Sequence, residues 1–389
     1  MNLSFHHRLQ QVQDYFTQGD HHLGYRRLLD ATLETENLEL FEDALHFAEF
    51  YEQNPSDSNL PTHLGNLLRK LENANISVVT NNNTPKIITE QISKKYASGN
   101  FGLSGVTLNV KPGEIIGLVG ENGNGKTTLL RLLYGDLLPD TGKLTYHFEG
   151  KPAKSDAYSL RSRLAFVPQR HSVWYGGLME NLQFTAAHYG MKGNANRLWT
   201  EMIVARMGLR QFRSYSWNRI SSGYKMRFEL ARTLLRRPEV MLLDEPLANL
   251  DVLAQQIILE DLLYLSESLS HPMAVVLSSQ QLYEVEKVSE KVVFLKNGVP
   301  QIQSKKERDS TSKVETGLII ELESTATRNE ITAAIQVLQP TQISYNGGVY
   351  LLYFSSVSFG EVMQALAQSG LPIRYIRDIS QSSRRFFDN

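Results

Sequence analysis

The sequence predicts an α/β core set between an all-helical N-terminal segment and a small α+β C-terminal segment. Three observations carry this expectation. Residues 1–75 show only the apolar spacing of amphipathic helices. Residues 87–304 alternate short apolar runs of strand length with helical stretches. Residues 315–389 read as strand, helix, strand, strand, helix, strand, the order of a ferredoxin-like domain.

In the first segment, Phe5, Leu9, Val12 and Phe16 recur at helical spacing. Phe41, Ala44, Leu45, Ala48 and Tyr51 repeat the pattern, as do Leu60, Leu64, Leu67, Leu68 and Leu71. Gly19-Asp20 and the stretch Asn54 to Ser58 break it, so two helical hairpins packed side by side are predicted. His6, His7, His21 and His22 make a poor metal set, because adjacent helical residues point about 100° apart. A polar linker is expected from Asn73 to Lys86. In the middle segment, Ile115 to Val119, Leu164 to Val167, Val240 to Leu243, Ala274 to Leu277 and Val292 to Leu295 are the predicted strands. Lys305 to Asp309 opens a second, charged linker, and Asn346-Gly347-Gly348 signals a hairpin in the last segment.

Composition narrows the function. The chain has 389 residues, room for two or three domains at ~100–200 each. Lys plus Arg is 40 and Asp plus Glu is 41, so the global basic field of a nucleic-acid binder is missing and no such partner is expected. Cysteine is absent, which excludes disulfides, thiolate metal sites and cysteine nucleophiles. No apolar run approaches the ~18–20 residues of a membrane helix, and Met1 to Leu9 has no apolar leader core. Any encounter with a membrane is therefore expected to run through a partner.

Gly120-Glu121-Asn122-Gly123-Asn124-Gly125-Lys126-Thr127-Thr128 follows a predicted strand and opens a helix, fitting G-x-x-x-x-G-K-[ST]. Glycines let successive backbone N–H groups turn inward on phosphate oxygens, and the helix N-terminus adds favourable partial charge. Lys126 is then expected to reach the outer phosphates and the Thr127 hydroxyl to ligate Mg²⁺. Val240-Met241-Leu242-Leu243-Asp244-Glu245-Pro246 supplies the second half: an apolar strand ending in two carboxylates. Asp244 is expected in the Mg²⁺ shell, and Glu245 is expected to orient an attacking water.

Further pieces follow in order: Phe166-Val167-Pro168-Gln169, Ile220-Ser221-Ser222-Gly223-Tyr224-Lys225, Ala248-Asn249-Leu250-Asp251, and Tyr96 ahead of the glycine loop. Together they resemble the nucleotide-binding domain of ATP-binding-cassette (ABC) transporters over roughly residues 87–304. The resemblance implies a P-loop NTPase cassette with a helical subdomain and ATP and Mg²⁺ as cofactors. It implies that Tyr96 stacks on adenine, that Gln169 joins the metal ligands, and that Ser221, Ser222, Gly223 and Asp251 contact ATP held by an opposite protomer. Ser221 can also cap the helix predicted over 225–235. Two departures stand out. The signature carries Ser222 and Tyr224 where the family has glycine and glutamine, and Gln280 stands where it usually has histidine. An amide donates to a phosphate but cannot become cationic, so slow or one-sided hydrolysis is expected.

The function implied is that of an ATP-hydrolysing subunit powering a separate integral-membrane permease. The ending Arg374 to Ile379 is similar to the tail of exporter-type ATPases. A second ATPase subunit, as a homodimer, and a place on the cytoplasmic face of a membrane come with that reading. The alternative is a soluble or regulatory ABC ATPase with weak turnover. Large apolar groups after Gln169, at Val173, Trp174, Tyr175 and Leu178, belong either to a permease groove or to the helical subdomain's core.

Overall fold

The computed structural model describes residues 3–55, 57–79, 84–96, 102–148, 151–152, 157–304, 317–346 and 349–380. The expected linker residues 81–83 and 305–309, and the glycines of the 346–348 turn, lie outside them. The chain forms two compact units, residues 1–280 with 293–301, and residues 281–292 with 302–389.

The first unit opens with α1 (Leu3–Thr17), α2 (His21–Glu34), α3 (Leu38–Gln53) and α4 (Leu60–Glu72). Asp20 and Asn37 accept N–H bonds from the first turns of α2 and α3, which is why these helices start where the apolar periodicity begins. Leu9, Val12, Phe41, Ala44 and Leu71 are buried, as their spacing predicts, and Leu28 of α2 is buried with them. The helices do not finish their own core. Leu198, Met202 and Ala205 of α8 (Gly193–Arg206), well along the chain, complete it.

A buried ionic network lies on the same seam. Arg206, fully buried at the end of α8, meets Asp30 of α2 at 2.7 Å and Asp261 of α10 (Val252–Ser266) at 3.2 Å. Arg26 of α2 also pairs with Asp261, and Arg27 lies 2.9 Å from Asp30. Burial by itself raises the Asp30 carboxyl, but Arg206, Arg27 and Arg26 outweigh it and hold that carboxyl below its ordinary value. Glu34, at the end of α2, accepts from Arg8 and from the N–H groups of Leu269 and Ser270. Helix α2 is thus bonded both to α8 and to α10 with the turn that follows it.

The central sheet has the order β10-β9-β3-β8-β7-β6. Its strands are β3 (Ile115–Val119), β6 (Leu164–Val167), β7 (Val240–Leu243), β8 (Ala274–Ser279), β9 (Lys291–Lys296) and β10 (Val299–Ser304). β3 pairs with β8, β8 with β7 and β7 with β6, all parallel. Strands covered on both faces read as continuous apolar runs, which is how β3, β7 and β8 appear in the sequence. Parallel strands also place their C-terminal ends on one edge, and loops from that edge carry chemistry in open α/β sheets. A second, antiparallel sheet has β1 (Ile87–Lys95) between β2 (Gly102–Val110) and β4 (Thr141–Phe148). Tyr96 follows directly from β1.

The second unit contains the βαββαβ domain. Its antiparallel sheet runs β12 (Gln342–Asn346), β13 (Val349–Phe354), β11 (Leu318–Ser324), β14 (Ile373–Asp378), the ferredoxin-like order expected from the sequence. Helices Arg328–Ile335 and Phe359–Ser369 both begin with capping boxes, Thr327 with Glu330 and Ser358 with Glu361. The cap N–H and hydroxyl groups hold both glutamates below their usual carboxylate range. Ile320, Leu322, Ile331, Leu352 and Val362 fill the space between helices and sheet. Among the described residues, no helix is long and apolar enough to cross a membrane.

Candidate functional site

The glycine loop turns out of β3 and enters α5 (Lys126–Leu133). Gly123 and Gly125 take φ of 86° and 99°, left-handed values that other residues adopt at a cost. Gly120 is required for another reason: a Cβ there would lie 2.5 Å from the Leu295 carbonyl oxygen. Gly125 caps α5 without a side-chain hydrogen bond, so no residue competes for the first N–H groups of that helix. Asn122 is exposed, while the Asn124 side chain accepts from Asn297 N at 3.1 Å and ties the loop to the turn after β9. Tyr96 is 38% exposed, and its hydroxyl lies 3.4 Å from Thr128 Oγ1. An aromatic face and a phosphate-binding loop therefore stand together.

The carboxylates meet this loop from β7. Thr127 Oγ1 donates to Asp244 Oδ2 at 2.7 Å. Lys126 Nζ donates to the carbonyls of Gly120 and Glu121 at 2.6 and 3.2 Å, and lies 3.3 Å from Glu245 Oε1. Glu245 gathers two more donors from neighbouring strand ends. Gln169 Nε2, after β6, donates at 2.7 Å, and Gln280 Nε2, after β8, at 3.0 and 3.2 Å. The four parallel strands thus bring Lys126, Gln169 and Gln280 to the one carboxylate of Glu245. A cation, two amides and an anion around a phosphate loop can hold a phosphoanhydride, orient a water and take up its proton.

The remaining predicted residues form a separate group. Ser221 caps α9 (Ser222–Leu234) by accepting from Tyr224 N, and the helix starts three residues before the position expected from the sequence. Ser222 Oγ donates to the Asn249 carbonyl at 3.1 Å, and Gly223 stands beside it with only loose contacts around its Cα. Asp251 caps α10 by accepting from Ala254 N at 2.8 Å. The hydrogen bonds of Ser221, Ser222 and Asp251 stay within this group. The segment after Gln169 divides. Trp174 donates to Glu229 at 2.7 Å under the Arg232 guanidinium and Leu178 is buried, whereas Val173 and Tyr175 are 54% and 87% exposed.

One participant escapes the motif reading. Ser278, fully buried in β8, donates to Asp244 Oδ1 and accepts from Glu245 N, both at 2.8 Å. Its signal is the first of two serines that end an apolar strand, two places ahead of Gln280.

Comparison with known proteins identifies the family and the fold. The ABC transporter family matches residues 103–248. The Nod factor export ATP-binding protein I of Burkholderia pseudomallei is 31% identical over 210 residues, spanning 54% of this chain and 67% of that protein. An ABC transporter ATP-binding protein of Listeria monocytogenes is 30% identical over 215 residues, spanning 54% of this chain and 78% of its own length. Among solved structures, cbiO1 from Clostridium perfringens, part of an ABC transporter complex, superposes with a TM-score of 0.52 at 23% identity. That superposition covers 59% of this chain and 96% of the other, and it supports the cassette fold.

Proposed function

The chain belongs to the ABC transporter family as an ATP-binding, ATP-hydrolysing subunit, and on that premise we propose that it drives an export permease through ATP-dependent pairing of two cassettes. The observation that carries this reading is the convergence of Lys126, Gln169 and Gln280 on Glu245 beside the Thr127–Asp244 pair. Lys126 neutralises the outer phosphates, the loop N–H groups hold their oxygens, and Tyr96 stacks on adenine. Thr127, Asp244 and Gln169 would hold magnesium, and hydroxyl, carboxylate and amide oxygens are the hard donors that fit it. A magnesium ion held by these residues would supply positive charge against the phosphates. Glu245 orients the attacking water and accepts its proton, while Gln280 donates one neutral hydrogen bond to the γ-phosphate.

Ser221, Ser222, Gly223 and Asp251 serve the ATP of a second ATPase subunit, most simply another copy of this chain. Their own hydrogen-bonded grouping supports that division of labour. Exposed Val173 and Tyr175 are assigned to the permease contact, at the cytoplasmic face where ATP is available. The Burkholderia relative, named for Nod factor export, supports the outward direction.

Glu245→Gln tests the pairing. It keeps an acceptor for Lys126 but loses the base, so the variant should bind Mg·ATP, fail to hydrolyse it and collect as a dimer. Light scattering that shows only monomer at saturating Mg·ATP, with and without co-purified permease, counts against the model.

Gln280 favours a second reading, a cassette of low turnover. A charge-assisted hydrogen bond is roughly twice as strong as a neutral one. Gln280→His should then raise kcat, by up to about tenfold for ~1.4 kcal/mol, with little change in ATP affinity. If Gln280→His and Gln280→Ala both hydrolyse at the wild-type rate, the residue does not act on the γ-phosphate.

A further inference from the structure

We infer that Ser278 is the positioning residue that sets both carboxylates of the site at once, a role that rests on the reading of Asp244 and Glu245 given above. A serine hydroxyl carries one donor and two acceptor lone pairs, and here it uses both functions on consecutive residues. Its proton goes to Asp244 Oδ1 at 2.8 Å, and its oxygen accepts from the backbone N–H of Glu245 at 2.8 Å.

Each bond removes a specific freedom. Asp244 presents its other oxygen, Oδ2, to Thr127, so anchoring Oδ1 fixes the carboxylate plane and the direction in which Oδ2 points. Glu245 lies beyond the last paired residues of β7 and β8, Leu243 with Leu277, so the sheet ladder supplies no acceptor for its N–H. Its φ is 48°, a left-handed value for a residue with a side chain, which persists only where neighbours over-determine it. Ser278 supplies the acceptor at that point, and Ala248 N holds the Glu245 carbonyl at 3.1 Å from the other side. Ser278 itself cannot wander. It is fully buried, paired in register with Leu118 of β3, and two residues before Gln280. One hydroxyl therefore couples the aim of the metal-side carboxylate to the backbone under the water-side carboxylate. A side chain that merely filled space would need no hydroxyl.

The full chain is compared as wild type, Ser278→Ala and Ser278→Thr. Two measurements are made: steady-state ATP hydrolysis, and equilibrium binding of trinitrophenyl-ATP across a Mg²⁺ titration. In Ser278→Ala, kcat should fall about tenfold or more, the scale of one lost hydrogen bond to a charged group. Nucleotide affinity at saturating Mg²⁺ should stay within about threefold, while the Mg²⁺ needed for half-maximal binding rises, because Asp244 is no longer aimed. Ser278→Thr keeps the hydroxyl and should restore both readouts. An alanine variant with wild-type kcat and wild-type Mg²⁺ dependence overturns the role. A wild-type chain that binds the nucleotide without hydrolysing it overturns the hydrolytic reading instead, and the Mg²⁺ shift alone then decides for or against Ser278.

Discussion

Lys126→Ala is expected to abolish ATP hydrolysis and to weaken Mg·ATP binding by at least about tenfold. The ammonium is nearly buried and lies within reach of the Gly120 and Glu121 carbonyls and of Glu245. On the proposed function it is the cation that meets the outer phosphates. Removing one preorganised charge partner of a transition state costs about 10²–10³ in rate, and a charge-assisted bond to phosphate is lost from the ground state as well. The check is steady-state hydrolysis and nucleotide binding by the purified variant, with its melting temperature recorded beside them. Wild-type hydrolysis by a folded Lys126→Ala chain would remove this loop from the chemistry.

The second large effect is on stability. Arg206→Met should lower the unfolding free energy by about 3 kcal/mol, within the range measured when one partner of a buried ion pair is removed. The guanidinium is fully buried between Asp30 and Asp261, and its loss leaves two buried carboxylates with fewer counter-charges. Arg26 and Arg27 still touch them, which sets the cost near the lower end of that range. Asp30→Asn in the same chain should recover part of the loss, since one carboxylate fewer then has to be compensated. Urea titration of the three proteins reads this directly, and an unchanged midpoint in Arg206→Met means the network is not stabilising.

Much of the site was legible because its residues obey spacing rules that are local. A glycine loop between strand and helix, or an apolar strand ending in Asp244-Glu245, states its geometry within ten residues. The ferredoxin-like order was legible for the same reason, through the strand-length apolar run Leu318 to Leu322, the helix that follows it and the Asn346-Gly347-Gly348 hairpin signal. Ser278 was not, because its partners come from the neighbouring strand and the β7–β8 register appears nowhere in the sequence. Trp174 was ambiguous for a related cause: the periodicity shows a large apolar group, but only the fold supplies Glu229 for its indole N–H. The N-terminal helices gave the clearest periodic signal of all, and it marked their buried faces correctly. What the pattern could not say is that part of the surface facing them belongs to α8.

That shared core has a consequence for dividing the chain. Leu198 and Met202, inside the stretch 103–248 that the family matches, are buried against helices that lie outside it. With α8 apolar toward them and Arg206 paired to Asp30, removing the helices in a single step would uncover two large side chains, worth roughly 1.5–3 kcal/mol each, and leave Arg206 with Asp261 but without Asp30. The helices and the stretch they pack on therefore stabilise each other and cannot be parted without cost. Dividing it requires compensating substitutions on α8, and a cassette cut out at residue 87 should reach the laboratory as aggregate unless those substitutions are made with the cut.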